Sequence, residues 1–172
     1  MKYAGIIEND VVNGIGICVS FFTQGCPHRC EGCFNPETWS FNGGKEVPSD
    51  IEDILYNAIT ANGIIRNFSV LGGEPLCPQN LELVDEITRY VKARFPYIKI
   101  YLWTGYDFDE LNTIGYKPST IMLKNILNRV DMLITGRFIL DEKDLTLPLR
   151  GSRNQQIWEK KDGKFILVED KR

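Results

Sequence analysis

The sequence predicts an α/β fold. Short β-branched and aromatic runs alternate with amphipathic stretches of helical period in the order β-α-β-α-β-α-β, and no repeat or low-complexity segment interrupts them. With 172 residues and a hydrophobic content of 43%, the chain fits one domain spanning residues 1–172.

The first strand is expected over Ile15 to Phe22, where Ile15, Ile17, Val19 and Phe21 alternate before the run ends at Gln24-Gly25-Cys26. This reads as a buried strand entering a loop. A helix then opens at Ser49, with Glu52 placed to complete a capping box, and buries Ile51, Ile54, Leu55, Ala58 and Ile59 before Asn62-Gly63 stops it. The strand Phe68 to Leu71 follows, then a helix from Pro78 to Arg94 burying Leu81, Val84, Ile87 and Val91. Next come the strand Ile98 to Trp103, a helix from Ser119 to Arg129 and the strand Asp131 to Thr135. Beyond Arg137, Phe138 to Leu140 and Phe165 to Val168 are expected as short edge strands. Parallel strands joined by helices form either an open sheet or part of a barrel, and in both the sites lie at the carboxyl ends of the strands.

The net charge of −3, without a Lys/Arg block interleaved with aromatics, argues against nucleic acid as a partner. Lys160-Lys161 and Lys171-Arg172 read as solvated surface. No stretch of about 18 uncharged apolar residues offers a membrane span, and Met1 to Asp10 does not read as a secretory signal. A cytoplasmic location is therefore expected. There, five cysteines would remain reduced rather than build a disulfide framework.

Their spacing carries the chemistry. Cys26, Cys30 and Cys33 form C-x3-C-x2-C on one loop directly after a strand. A cubane iron-sulfur cluster normally takes four cysteine thiolates, so three leave one iron open to a substrate. The competing reading is a structural zinc site, which needs a fourth ligand. His28, the single histidine, lies between Cys26 and Cys30 and is better suited to shaping the loop or lying near solvent than to ligating; Cys18 and Cys77 remain as possible remote ligands. Cys18 reads as a small buried hydrophobe, and Cys77 has no assigned role.

After the next strand, Leu71-Gly72-Gly73-Glu74-Pro75 combines two glycines, which permit close backbone approach, with a carboxylate able to receive an ammonium group. Alone it would pass for an ordinary turn. Asn35 is a candidate to orient the cluster loop or contact a nucleoside, or a turn starter, and Thr104 a candidate ligand contact or a strand cap. Trp39, Trp103 and Trp158 are assigned to packing.

The three-cysteine loop followed by G-G-E-P resembles the radical S-adenosylmethionine superfamily. The fuller strings Gly25 to Glu37, Thr104-Gly105-Tyr106 and Gly151-Ser152-Arg153-Asn154-Gln155 resemble its subgroup of anaerobic ribonucleoside-triphosphate reductase activating proteins, over Gly14 to Gln155. That resemblance implies an incomplete TIM-like (β/α) barrel of parallel strands, the radical SAM core. It implies a [4Fe-4S] cluster held by Cys26, Cys30 and Cys33, with S-adenosylmethionine chelated at the remaining iron and its ammonium received by Gly72, Gly73 and Glu74.

One electron would then split the S–C5' bond into methionine and a 5'-deoxyadenosyl radical, which would take a Cα hydrogen from a glycine of the large reductase subunit. The resemblance further implies a low-potential donor such as flavodoxin. The superfamily usually places an adenine-contacting aromatic before the third cysteine; here Gly32 holds that position and Phe34, just after, is the aromatic candidate. Thr135 stands where the subgroup commonly has aspartate, and Gln156 where it commonly has arginine, so neither receives a role. An activase of another glycyl radical enzyme, such as pyruvate formate-lyase, is the neighbouring reading. A zinc-stabilised binding module without catalysis is the alternative from a different class.

Overall fold

The computed structural model describes residues 1–113 and 118–169; Lys171-Arg172 lies outside the described residues. The strands are β1 (Lys2–Asp10), β2 (Cys18–Thr23), β3 (Lys45–Glu46), β4 (Asn67–Gly72), β5 (Ile100–Trp103), β6 (Met132–Thr135), β7 (Gln156–Lys161) and β8 (Lys164–Leu167). They form one 8-stranded sheet in the order β3-β1-β2-β4-β5-β6-β7-β8. The expected parallel unit is present at its centre, because β2, β4, β5 and β6 pair in parallel. The remaining strands flank it in antiparallel pairs, so the sheet is mixed.

Helices α1 (Ile51–Thr60), α2 (Leu81–Arg94), α3 (Phe108–Thr113) and α4 (Pro118–Arg129) occupy the connections. Neighbouring parallel strands that follow one another in sequence are joined by crossovers of one hand, which puts their helices on one face of the sheet. The core records this: Val19, Phe21, Phe68, Val70, Ile100, Leu102 and Leu133 of the sheet pack with Leu55 and Ile59 of α1, Val84 and Ile87 of α2, and Leu123 and Ile126 of α4. Residues of the opposite parity, Phe22, Leu71 and Trp103, face a cavity instead.

Several boundaries depart from expectation for physical reasons. Strand β2 starts at Cys18, and Ile15 and Ile17 are 58% and 38% exposed. The apolar run is broken by Gly14 and Gly16, both at positive φ, while the Asp10 carboxylate accepts the Val12 and Asn13 amides and bends the chain. Helix α1 begins at Ile51 with Asp50 as N-cap and no side-chain capping bond, so Ser49 and Glu52 do not form the expected box. Asn62 and Gly63, both in the left-handed region, end it as expected, although Ile54 is only half-buried. Helix α2 starts three residues later than expected, at Leu81, because Asn80 donates from its side chain to the Gly25 and Glu74 carbonyls.

Phe138 to Leu140 is not a strand; β7 takes the place beside β6. The second expected edge strand is present as β8. Strands β1, β3 and β7 were not foreseen. Among the described residues, no helix is long and apolar enough to cross a membrane.

A half-buried tie closes the start of the parallel unit. Asp131 Oδ2 accepts from Lys92 Nζ at 2.8 Å and from the Ile100 amide at 2.9 Å, and Lys92 also reaches the Ile98 carbonyl at 2.8 Å. Burial raises the Asp131 pKa, but the bonds and charges of Lys92, Ile100 and Lys99 outweigh it, and the net displacement is downward. Asp131→Ala should therefore cost about 1–3 kcal/mol at pH 7. The difference from wild type should shrink as pH falls through the lowered pKa, below about 4, as denaturant titrations at several pH values would show. Leu102→Ala, in the fully buried centre, should cost about 2–5 kcal/mol at any pH in the same titrations.

Candidate functional site

The ends of the four parallel strands converge on one cavity of about 600 Å³, within the range of small-molecule sites. Every residue singled out from the sequence as a site candidate lines it: Cys26, Cys30 and Cys33, then Phe34 and Asn35, then Gly72, Gly73 and Glu74, and finally Thr104.

The cysteine loop is shaped by its own backbone. The Gly25 and Cys26 amides donate to the Thr38 and Trp39 carbonyls at 2.8 and 3.0 Å, and the Cys33 amide donates to the Cys30 carbonyl at 3.1 Å. Arg29, at φ 49°, supplies the left-handed step that folds the loop between its first two cysteines. The three thiols are unpaired and half-buried. Burial pushes the Cys26 and Cys30 thiols up; the amides of His28 and Arg29 at Cys26, and of Phe138 at Cys30 together with the Arg137 charge, pull in the other direction. The Asn35 amide approaches Cys33 Sγ at 3.4 Å.

The backbone amide at Cys33 Sγ is the kind of donor that tunes a metal-bound thiolate. Among the described residues, no group of three or more His, Cys, Asp or Glu side chains is already placed to hold a metal ion. Three free cysteines on one loop are the donor type that an iron-sulfur cluster takes, as zinc also does.

Glu74 binds this loop to the neighbouring strand ends. Its carboxylate is 1% exposed. Oε1 accepts from the Leu76 amide at 2.9 Å and Thr104 Oγ1 at 2.7 Å; Oε2 accepts from His28 Nε2 at 2.9 Å and the Gly105 amide at 2.7 Å. Two glycines make this approach possible. A Cβ on Gly73 would lie 2.4 Å from the Gly25 carbonyl oxygen, and one on Gly105 would lie 2.4 Å from the His28 ring. The His28 ring also meets Tyr106 edge-on at 4.6 Å. His28 thus shapes the loop, as the sequence suggested, through a partner the sequence did not show.

The remaining wall comes from the C-terminal part of the chain. Gln155 accepts from the Gly151 and Ser152 amides and donates to the Gly136 carbonyl at 3.0 Å, while Asn154 donates to the Arg137 carbonyl at 2.8 Å. The Gly151–Gln155 string therefore latches the end of β6. Phe34 lies edge-on to Phe138 at 5.1 Å, and Trp103 Nε1 donates to the Leu149 carbonyl at 2.8 Å, drawing the 145–150 segment along the cavity. Leu145, Leu147, Leu149 and Arg150 line it, as do Trp39 and Trp103, which sequence reasoning had given to packing. The period-two pattern Leu145-Thr-Leu147-Pro-Leu149 was the available signal.

Trp158 does pack, stacking on Phe108 at 3.9 Å. Asn35 serves the turn, its carbonyl accepting from the Thr38 amide and hydroxyl, while the residue also lines the cavity. Thr135 is buried and accepts from Trp158 Nε1, and Gln156 is exposed on β7. Cys77 is fully buried, with its thiol pushed up to about 12, mainly by burial.

Comparison with known proteins agrees with this geometry. Residues 12–158 match the family model described as a 4Fe-4S single cluster domain. The chain is 35% identical over 158 residues to the anaerobic ribonucleoside-triphosphate reductase-activating protein of Escherichia coli (strain K12), covering 91% of this chain and 97% of that one. It is 38% identical over 165 residues to the protein of the same name from Enterobacteria phage T4, covering 95% and 97%. The same-named protein of Haemophilus influenzae is 37% identical over 158 residues, covering 91% and 97%. With identity at this level over nearly the full length of each relative, and with the cluster-domain match spanning all three cysteines of the loop, the chain belongs to the family of anaerobic ribonucleoside-triphosphate reductase-activating proteins.

Proposed function

We propose that the chain holds a [4Fe-4S] cluster on Cys26, Cys30 and Cys33, binds S-adenosylmethionine in the adjoining cavity, and installs a glycyl radical on an anaerobic ribonucleoside-triphosphate reductase. The observation that carries this reading is the meeting, in one cavity, of three unpaired thiols with the Gly72-Gly73-Glu74 turn. Cys26, Cys30 and Cys33 would hold the cluster, which would supply the one electron, drawn from a low-potential donor such as flavodoxin, needed to divide S-adenosylmethionine into methionine and a 5'-deoxyadenosyl radical able to take the glycine Cα hydrogen.

The chain's own residues bind, orient and shield. Gly72 and Gly73 bring backbone beside the cysteine loop, where carbonyls suit an ammonium, and Phe34, Asn35 and Thr104 stand on the cavity wall where an adenosine would lie. Side-by-side parallel strands in sequence order support a partial (β/α) barrel, closed off on both sides by antiparallel strands. No general base is needed, consistent with a single histidine committed to Glu74. A reducing cytoplasm suits three unpaired, half-buried cysteines.

A partner must present its glycine to the cavity. Val12 and Leu145 line it while remaining 74% and 67% exposed, so they stand where it opens and offer an apolar lip to a protein loop. This favours a macromolecular substrate over a small one.

Cys26→Ala, Cys30→Ala or Cys33→Ala should each abolish the brown colour and iron content after anaerobic reconstitution, whereas Cys77→Ala should retain both. Stoichiometric zinc and no 5'-deoxyadenosine with dithionite and S-adenosylmethionine would overturn the proposal in favour of a binding module. Val12→Lys combined with Leu145→Lys should lower the glycyl radical signal on the reductase about tenfold or more, by electron paramagnetic resonance, while leaving uncoupled S-adenosylmethionine cleavage near wild type. A radical formed on pyruvate formate-lyase and not on the reductase would reassign the partner.

A further inference from the structure

The Glu74 carboxylate sits in the cavity wall, yet the protein already fills it. An ionised carboxylate has about four acceptor positions, two on each oxygen. Here they are taken by the Leu76 amide and the Thr104 hydroxyl on Oε1, and by His28 Nε2 and the Gly105 amide on Oε2, at 2.7–2.9 Å. An ammonium could bind this carboxylate only by displacing one of those donors, and each displaced donor would be left unsatisfied in a buried setting.

The donors come from three separate segments. His28 lies inside the cysteine loop, between Cys26 and Cys30; Leu76 lies in the turn after β4; Thr104 and Gly105 follow β5. The His28 side chain is 6% exposed and is fixed from a second direction by Tyr106. The contact at Gly105 is so close that no larger residue could stand there without moving the ring.

We propose that His28 and Glu74 are a pair of positioning residues: together they clamp the cysteine loop onto the ends of β4 and β5, and Glu74 acts through that clamp rather than by contacting the substrate ammonium. That contact then falls to the backbone at Gly72 and Gly73. The assignment deepens the proposed function and rests on it only in naming what the clamped loop carries; the clamp itself is a property of the chain.

The test uses full-length reconstituted protein, follows exchange and iron release without S-adenosylmethionine and measures its binding in a separate titration, and compares His28→Ala, His28→Gln, Glu74→Gln and the double variant His28→Ala/Glu74→Gln. Two readouts are independent of turnover: amide hydrogen exchange of peptides covering 26–33 and 104–106, and the rate at which a chelator removes iron. Loss of the clamp should raise exchange in both peptides and the rate of iron loss by about tenfold in His28→Ala and Glu74→Gln, with no further increase in the double variant. His28→Gln, which keeps a side-chain donor, should restore most of the protection.

The proposal is overturned if His28→Ala exchanges and retains iron like wild type, or if Glu74→Gln weakens S-adenosylmethionine binding with exchange unchanged, which would make Glu74 a direct contact. If Glu74→Gln does not fold, the two His28 variants decide alone. A protein that reconstitutes without iron would defeat the cluster reading, while the exchange pattern would still report on the clamp.

Discussion

A buried carboxylate must be paired or it is expelled, because its desolvation costs several kcal/mol unless hydrogen bonds replace the lost water. Glu74 meets that demand with donors drawn from the cysteine loop, its own turn and the end of β5. Satisfying one charge therefore fixes the relative placement of three segments that share no local sequence. The parallel pairing of β2, β4 and β5 brings the strand ends to a common rim, and Glu74 sets the spacing between the loops that leave it. The glycines at 73 and 105 follow from this, since side chains there would push the loops apart.

What the sequence made legible was mainly local. The cysteine spacing, the Gly-Gly-Glu turn and Thr104 could be placed on one rim because each follows a strongly apolar strand, and the strand-end rule then does the spatial work. Helices α1 and α2 were readable from their period, since tertiary packing uses the stripe the period displays. Strand β1 was not. Apart from Asp10 at its end, its residues are half-buried or exposed on a flanking antiparallel strand, so its pattern lacks the contrast that marks β2.

The His28–Glu74 contact was illegible for another reason. It joins residues 46 apart in sequence, and nothing in either local string names its partner. The expected capping box failed at Ser49 because Asp50 took the capping position, a choice between adjacent residues that composition does not decide. The lip at Leu145 was visible as an alternating pattern, but its meaning depended on Trp103 holding that segment against the cavity.

The sheet gives its two faces to different tasks, and the division runs along single strands. Val19 and Phe21 of β2, Phe68 and Val70 of β4, and Ile100 and Leu102 of β5 answer to the helix layer. Phe22, Leu71 and Trp103, one step out of phase, answer to the cavity. Heritable variation in this chain should consequently sort by odd and even position within each strand: changes on one parity would be filtered by whether the molecule survives at all, changes on the other by what it can accommodate. New specificity could then evolve one alternate residue at a time without disturbing the scaffold that carries it.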